Sequence, residues 1–274
     1  MGSSLGILAG DGALPRQVAE AARRDGRAVF VVAFEGQTAP GWVEDFPHEW
    51  IRLGAIGRTL DALKEAAVAE VCMIGPIRRP SLGELRPDWR GAKLIARNGF
   101  VGLGDDALLK AVAGILGEAG MRIVGAHEIL GDLLMPPGVL TKTRPDDDAW
   151  NDIRKGLAAV DMLGGLDIGQ ATVIQEGIVL AVEAAEGTDA MLSRCRDLRR
   201  EGKGGVLVKT AKPQQDRRLD LPAIGVATVG NAARAGLRGI AARAGNALLS
   251  DMAGTVAAAD RHGLFLVGVE EDRP

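Results

Sequence analysis

Leu5-Gly6-Ile7-Leu8-Ala9-Gly10-Asp11-Gly12-Ala13-Leu14-Pro15 is the stretch that decides the fold class. Leu5 to Ala9 carries no charge and reads as a short buried strand. Gly10-Asp11-Gly12 turns the chain into a helix that runs to about Arg24, with Pro15 in the permissive first turn. Strand-like runs recur at 28–33, 50–53 and 70–74, with a helical run at 59–67. A strongly helical segment over 108–119 and a short strand over 121–124 follow. This βαβ cadence predicts a parallel sheet with right-handed crossovers, so the first half is expected to be a Rossmann-like α/β domain. The opening turn is not a dinucleotide fingerprint, because Pro15 stands where a third glycine would be.

Leu134-Met135-Pro136-Pro137-Gly138 reads as a linker. The expected division is a first domain over 1–132, a linker over 133–145 and a second α/β domain over 146–274. Beyond Asp146-Asp147-Asp148 the pattern predicts a helix over 148–162, paired strands over 172–174 and 178–182 around Gly177, and a helix over 189–200. A strand over 206–208, helices over 231–242 and 251–262, and a strand over 264–269 complete the domain. The expected fold is α/β with two domains and an active site in the cleft between them.

Composition narrows the function. Hydrophobic residues make up 47% of the 274 residues, but aromatics only 3%, so aliphatic side chains and alanine must fill the core. A net charge of −3 with dispersed basic residues argues against a nucleic-acid partner. Cys72 and Cys195 lie outside any CxxC pattern and are expected to be core thiols in a reducing cytoplasm. No apolar run approaches the ~18 residues of a spanning helix. No signal-peptide pattern is visible at the amino end, and a cytoplasmic location is expected. His48, His127 and His262 have no metal-ligand spacing.

The densest chemistry lies in Val208-Lys209-Thr210-Ala211-Lys212-Pro213-Gln214-Gln215-Asp216-Arg217-Arg218-Leu219-Asp220-Leu221-Pro222-Ala223-Ile224-Gly225, which leaves a glycine-flanked strand. Lysines and arginines grip phosphate oxygens, and carboxylates supply the hard oxygen ligands that magnesium prefers. Other candidates flank strand ends. Gly10, Asp11 and Gly12 precede a helix whose free amides suit an anion. Ile77, Arg78 and Arg79 leave a strand at its carboxyl end, where ligands collect in open α/β sheets. Glu183, Glu186, Gly187, Thr188 and Asp189 join a strand to a helix, with Thr188 or Asp189 as its cap. Arg86, Arg90, Lys93 and Arg97 share one face if 86–97 is helical, a basic surface suited to anionic lipid.

Gly6 to Pro15, Glu183 to Asp189 and Val208 to Gly225 together resemble signatures of the LpxI-type UDP-2,3-diacylglucosamine diphosphatases of lipid A biosynthesis. The resemblance covers nearly the whole chain. Asp11 stands where that family commonly has glycine, and Leu219 where it commonly has an aromatic. The resemblance implies hydrolysis of a UDP-linked diacylated glucosamine to UMP and lipid X, with magnesium required (manganese as its substitute) and water attack at the α phosphorus. It implies a peripheral position on the inner face of the inner membrane and leaves room for a homo-oligomer. In this reading Asp216 and Asp220 ligate magnesium or orient the attacking water, and share a face if their turn is helical. Lys209, Lys212 and Arg217 neutralise phosphate charge, and Gln214 fixes an oxygen or the water. Glu183 and Asp189 are reserve metal ligands. Gly10, Asp11, Gly12, Ile77, Arg78, Arg79, Glu186, Gly187 and Thr188 hold substrate. The alternatives are a non-catalytic nucleotide-sugar or lipid-binding protein and a nucleotide-dependent oxidoreductase.

Overall fold

Two units divide the chain: Met1–Gly131 with Arg218–Asp220, and Asp132–Arg217 with Leu221–Pro274. The structure, a computed structural model, describes residues 3–78, 87–98 and 105–270, without the side chains of 94–98 and 105–106.

The first unit alternates strands and helices as its apolar runs dictate. In chain order these are β1 (Leu5–Ala9), α1 (Leu14–Arg24), β2 (Val29–Phe34), β3 (His48–Ile51), α2 (Ile56–Glu65), β4 (Glu70–Ile74), α3 (Trp89–Asn98), α4 (Asp105–Glu118), β5 (Arg122–Ile123) and α5 (Ala126–Ile129). The sheet runs β3-β2-β1-β4-β5 with every pair parallel. Strands buried on both faces must be apolar throughout, and β1 is buried at all five positions. The order reverses at β1, so the carboxyl ends of β1 and β4 flank a topological switch point. There Gly10 meets Gly75: a Cβ on Gly10 would lie 2.2 Å from the Gly75 carbonyl oxygen. Leu219 packs into this unit's core beside Leu8, Val32, Leu63 and Val71. The segment expected to belong wholly to the second domain thus lends three residues to the first.

The second unit holds β6 (Gly138–Val139), α6 (Asp147–Gly165), β7 (Ala171–Gln175), β8 (Ile178–Val182), α7 (Gly187–Leu198), β9 (Val206–Lys209), β10 (Ala223–Ile224), α8 (Val226–Arg234), β11 (Gly239–Arg243), β12 (Leu248–Leu249), α9 (Met252–His262) and β13 (Phe265–Val269). Its main sheet runs β6-β13-β11-β9-β7-β8, with β9, β11 and β13 parallel and β6, β7 and β8 antiparallel to their neighbours. Period-two alternation splits the core. Val206, Val208, Ala241 and Val267 pack with Ile153 and Val160 of α6, while Leu207, Ile240, Ala242 and Leu266 pack with residues of α7, α8 and α9. Asp146 caps α6 by accepting the Ala149 N–H at 2.9 Å.

One expected helix is half a strand. A helix is expected over 231–242, but α8 starts earlier, at Val226, and ends at Arg234. Gly236, at φ +72°, turns the chain, and Gly239–Arg243 becomes a central strand. Ile240, Ala241 and Ala242 are fully buried there, between β9 and β13. Burial on both faces outweighs the helix preference of alanine. Both cysteines are buried free thiols, and burial pushes the Cys72 thiol up to about 12. Among the described residues, no helix is long and apolar enough to cross a membrane.

Candidate functional site

In the second unit the polar residues gather at the carboxyl end of β9. Register places Lys209 opposite Ala171 at the start of the antiparallel β7, and Val182 at the end of β8 opposite Thr172. One sheet edge therefore carries Lys209, the loop that follows it, Gln170 and Glu183. Lys209 is 7% exposed, and its Nζ donates to the Ala223 carbonyl at 3.1 Å. The Thr210 N–H donates to the Gln170 carbonyl at 3.1 Å. The Thr210 hydroxyl and Gln170 Oε1 are buried, and neither has a hydrogen-bond partner among the described residues. Lys212 forms an ion pair with Asp167, and its backbone N–H donates to Gln215 Oε1 at 2.9 Å. Gln214 Nε2 donates to the Gly164 carbonyl at 2.7 Å, which ties the loop to the end of α6. The Arg217 guanidinium donates to the Gly245 carbonyl. Beside them, Arg243 at the end of β11 pairs with Asp161 of α6 at 2.6 Å.

Arg217 to Leu219 form a turn between the two aspartates. Asp220 counts with the first unit and Asp216 with the second, and both are half-buried.

The other carboxylates proposed as metal ligands have protein partners. Glu183 is 6% exposed and accepts from the Thr188 hydroxyl at 2.7 Å and from the Gln170 N–H at 3.1 Å. Asp189 accepts from Asn231 Nδ2 at 2.6 Å. Among the described residues no group of three or more His, Cys, Asp or Glu side chains is placed to hold a metal. The donor set does not fit a closed protein cage for a divalent cation. A carboxylate or two that share the ion with substrate phosphates is the arrangement magnesium usually adopts.

The helix after Glu183 also starts differently from expectation. Glu186 occupies the N-cap position of α7 without a side-chain cap, and Gly187 follows at φ +79°. Thr188 and Asp189 lie inside the first turn, so neither is the cap, and the Thr188 hydroxyl turns back to Glu183. The Arg194 guanidinium hydrogen-bonds Glu186 at 2.8 Å and holds its carboxyl below the ordinary range.

In the first unit the structure brings Gly10–Gly12 and the loop after β4 together at the switch point. The Asp11 N–H donates to the Pro76 carbonyl at 2.9 Å, and the Asp11 carboxylate accepts from the Gly12 N–H at 2.8 Å. Ile77 and Arg78 are exposed, with the Arg78 N–H on Gln37 Oε1 at 2.8 Å. Arg79 lies outside the described residues, as do Arg86 and the Arg97 side chain. Of the basic stripe, Arg90 pairs with Asp61 at 3.3 Å and lies over the exposed Trp89 ring, while Lys93 faces solvent.

Asp167, Gln170 and Thr210 escaped the reading of the sequence. Only antiparallel pairing of β7 with β9 brings the first two beside the lysine segment. The one local signal was an aspartate within Leu166-Asp167-Ile168-Gly169, where Asp167 takes φ +58°, a conformation aspartate tolerates better than most residues.

Residues 136–267 match the family model of the LpxI C-terminal domain, and residues 4–133 match that of the LpxI N-terminal domain. The chain is also 43% identical over 283 aligned residues to the UDP-2,3-diacylglucosamine pyrophosphatase LpxI of Caulobacter vibrioides. That match covers 98% of this chain and 99% of the relative.

Proposed function

The chain belongs to the LpxI family, and from that premise we propose that it hydrolyses the pyrophosphate of UDP-2,3-diacylglucosamine to UMP and 2,3-diacylglucosamine 1-phosphate. End-to-end identity to a pyrophosphatase named for this substrate carries the reading. The lysine-rich edge of β9 supplies chemistry that suits it.

Lys209 is fixed by the Ala223 carbonyl and largely withdrawn from water. A cation in such a setting attracts a phosphate oxygen more strongly than one in bulk solvent. Lys212 and Arg217, each tethered to a neighbour, offset negative charge as it develops on the phosphates. Gln214, tied to the end of α6, orients an oxygen or the attacking water. Asp216 and Asp220 are the carboxylates assigned to magnesium or to the water. When bound, the ion would neutralise negative charge on the phosphate oxygens. Gly10–Gly12 and Ile77–Arg79 are assigned to substrate binding. Glu183 positions Thr188 and the start of β7.

The test is incubation of the protein with UDP-2,3-diacylglucosamine, with magnesium or with EDTA, followed by mass analysis. UMP and the lipid phosphate in the magnesium tube alone support the reading. Intact substrate in both tubes, with the protein folded, would leave a binding protein as the better description. In ¹⁸O-water, label in UMP places attack at the α phosphorus, and label in the lipid phosphate moves it to the β phosphorus.

A further inference from the structure

The solvent face of α6 changes character along its length. Asn151, Arg154 and Lys155 are exposed in its first half. Toward the carboxyl end the exposed residues are Ala158, Met162 and Gly165, followed just past the helix by Leu166 and Ile168. Met162 is 76% exposed, Leu166 73% and Ile168 43%. Single exposed apolar residues are ordinary, but three within seven positions on one helix end form a patch.

Its position gives it meaning. Gly164 accepts from Gln214 at 2.7 Å, and Asp167 pairs with Lys212. A Cβ on Gly164 would lie 3.1 Å from Pro213 Cδ, so loop and helix end are in direct contact. The apolar residues are thus interleaved with the anchors of the segment assigned to the pyrophosphate. The two charges interleaved with them in sequence are paired, Asp161 with Arg243 and Asp167 with Lys212.

We propose that Met162, Leu166 and Ile168 form a docking tip that inserts into the interfacial region of a lipid bilayer and brings Lys212 and Gln214 to the level of the headgroups. This rests on the catalytic reading above, in which the substrate's two acyl chains hold it in a membrane. Apolar insertion, rather than attraction between charges, is the source of the binding, so it persists on neutral lipid and at high salt.

The experiment is flotation with substrate-free vesicles of phosphatidylcholine, with and without phosphatidylglycerol, at low and high salt. It compares the wild-type chain with the Met162→Ser/Leu166→Ser/Ile168→Ser variant. Loss of three inserted side chains should weaken vesicle partition by roughly tenfold or more. Hydrolysis of vesicle-borne substrate should fall in parallel, while turnover and KM in detergent micelles stay within about twofold of wild type and the thermal midpoint is unchanged. Equal flotation of variant and wild type overturns the proposal. So does a raised KM in micelles, which would make the patch a subsite for the acyl chains, or loss of self-association with flotation intact. Patch-dependent flotation by a wild-type chain that leaves the UDP-lipid uncleaved would keep the docking tip and remove the catalytic reading.

Discussion

Gly156→Ala should destabilise the second unit, although the substitution favours a helix. Gly156 lies mid-way along α6, and a Cβ there would sit 2.4 Å from Val208 Cγ2, 2.9 Å from Val208 Cβ and 3.2 Å from Ile174 Cγ1. Ordinary carbon contacts are ~3.5–4.0 Å, so helix and strand must part by about 1 Å. Replacing glycine by alanine within a helix gains about 1 kcal/mol, and overpacking a well-filled core costs about 1–3 kcal/mol. At 2.4 Å from a fully buried valine in the sheet centre the upper part of that range applies, for a net loss of about 1–2 kcal/mol. Val208 precedes Lys209, so a displaced β9 also misplaces the proposed phosphate-binding cation, and turnover should fall with stability. Urea denaturation of wild type, Gly156→Ala, Val208→Ala and the double variant closes a cycle. Truncating Val208 removes the obstructing methyl groups, so the double variant should be more stable than the sum of the two single losses. A higher urea midpoint for Gly156→Ala alone would refute the reasoning, because it would mean that α6 yields to the added methyl without strain.

Asp146 bonds Lys203 at 2.9 Å, the Ala149 N–H and Arg238, and these donors lower its carboxyl to about 2. A lowered folded value means stability that is present above the unfolded value of about 3.9 and is lost as pH falls toward 2. Asp146→Asn should therefore lower the thermal midpoint at neutral pH by a few degrees and flatten its decline between about pH 4 and 2; an unchanged acid limb would sink this account. Asp216→Ala and Asp220→Ala are each expected to reduce turnover about 10²–10⁴-fold with an unchanged melting curve, and near-normal rates in both would remove them from the mechanism. Lys209→Met should cost about 10²–10³-fold through lost charge stabilisation, measured as kcat/KM. Glu183→Ala leaves a buried hydroxyl and an amide without their acceptor and should cost about 1–3 kcal/mol in urea unfolding while the magnesium concentration for half-maximal activity holds. A tenfold shift in that concentration with the fold intact would make Glu183 a ligand instead.

What could be read from the chain alone was whatever is local in sequence. Runs such as Leu5–Ala9 and Val206–Val208 announce buried strands because every neighbour must be apolar when both faces are covered. The glycine turn after β1 and the lysine segment after β9 announce functional edges because those residue types gather where backbone and side chains meet a ligand. The family signatures are runs of the same local kind. Tertiary structure decided what depends on chain segments far apart. Residues 239–243 carry alanines that favour a helix, and only burial between β9 and β13 makes them a strand. Asp167 becomes the partner of Lys212, and Gln170 the neighbour of Thr210, only through antiparallel pairing of β7 with β9. The bonds that Glu183 accepts from Thr188 and Gln170 likewise depend on how β8 and β7 pair. Leu219 lies in the core of the first unit, although its neighbours in sequence suggest a surface loop. Sequence spacing encodes the period of a single element, whereas the partner of a side chain is set by which elements the hydrophobic effect packs together, and that is a property of the whole chain.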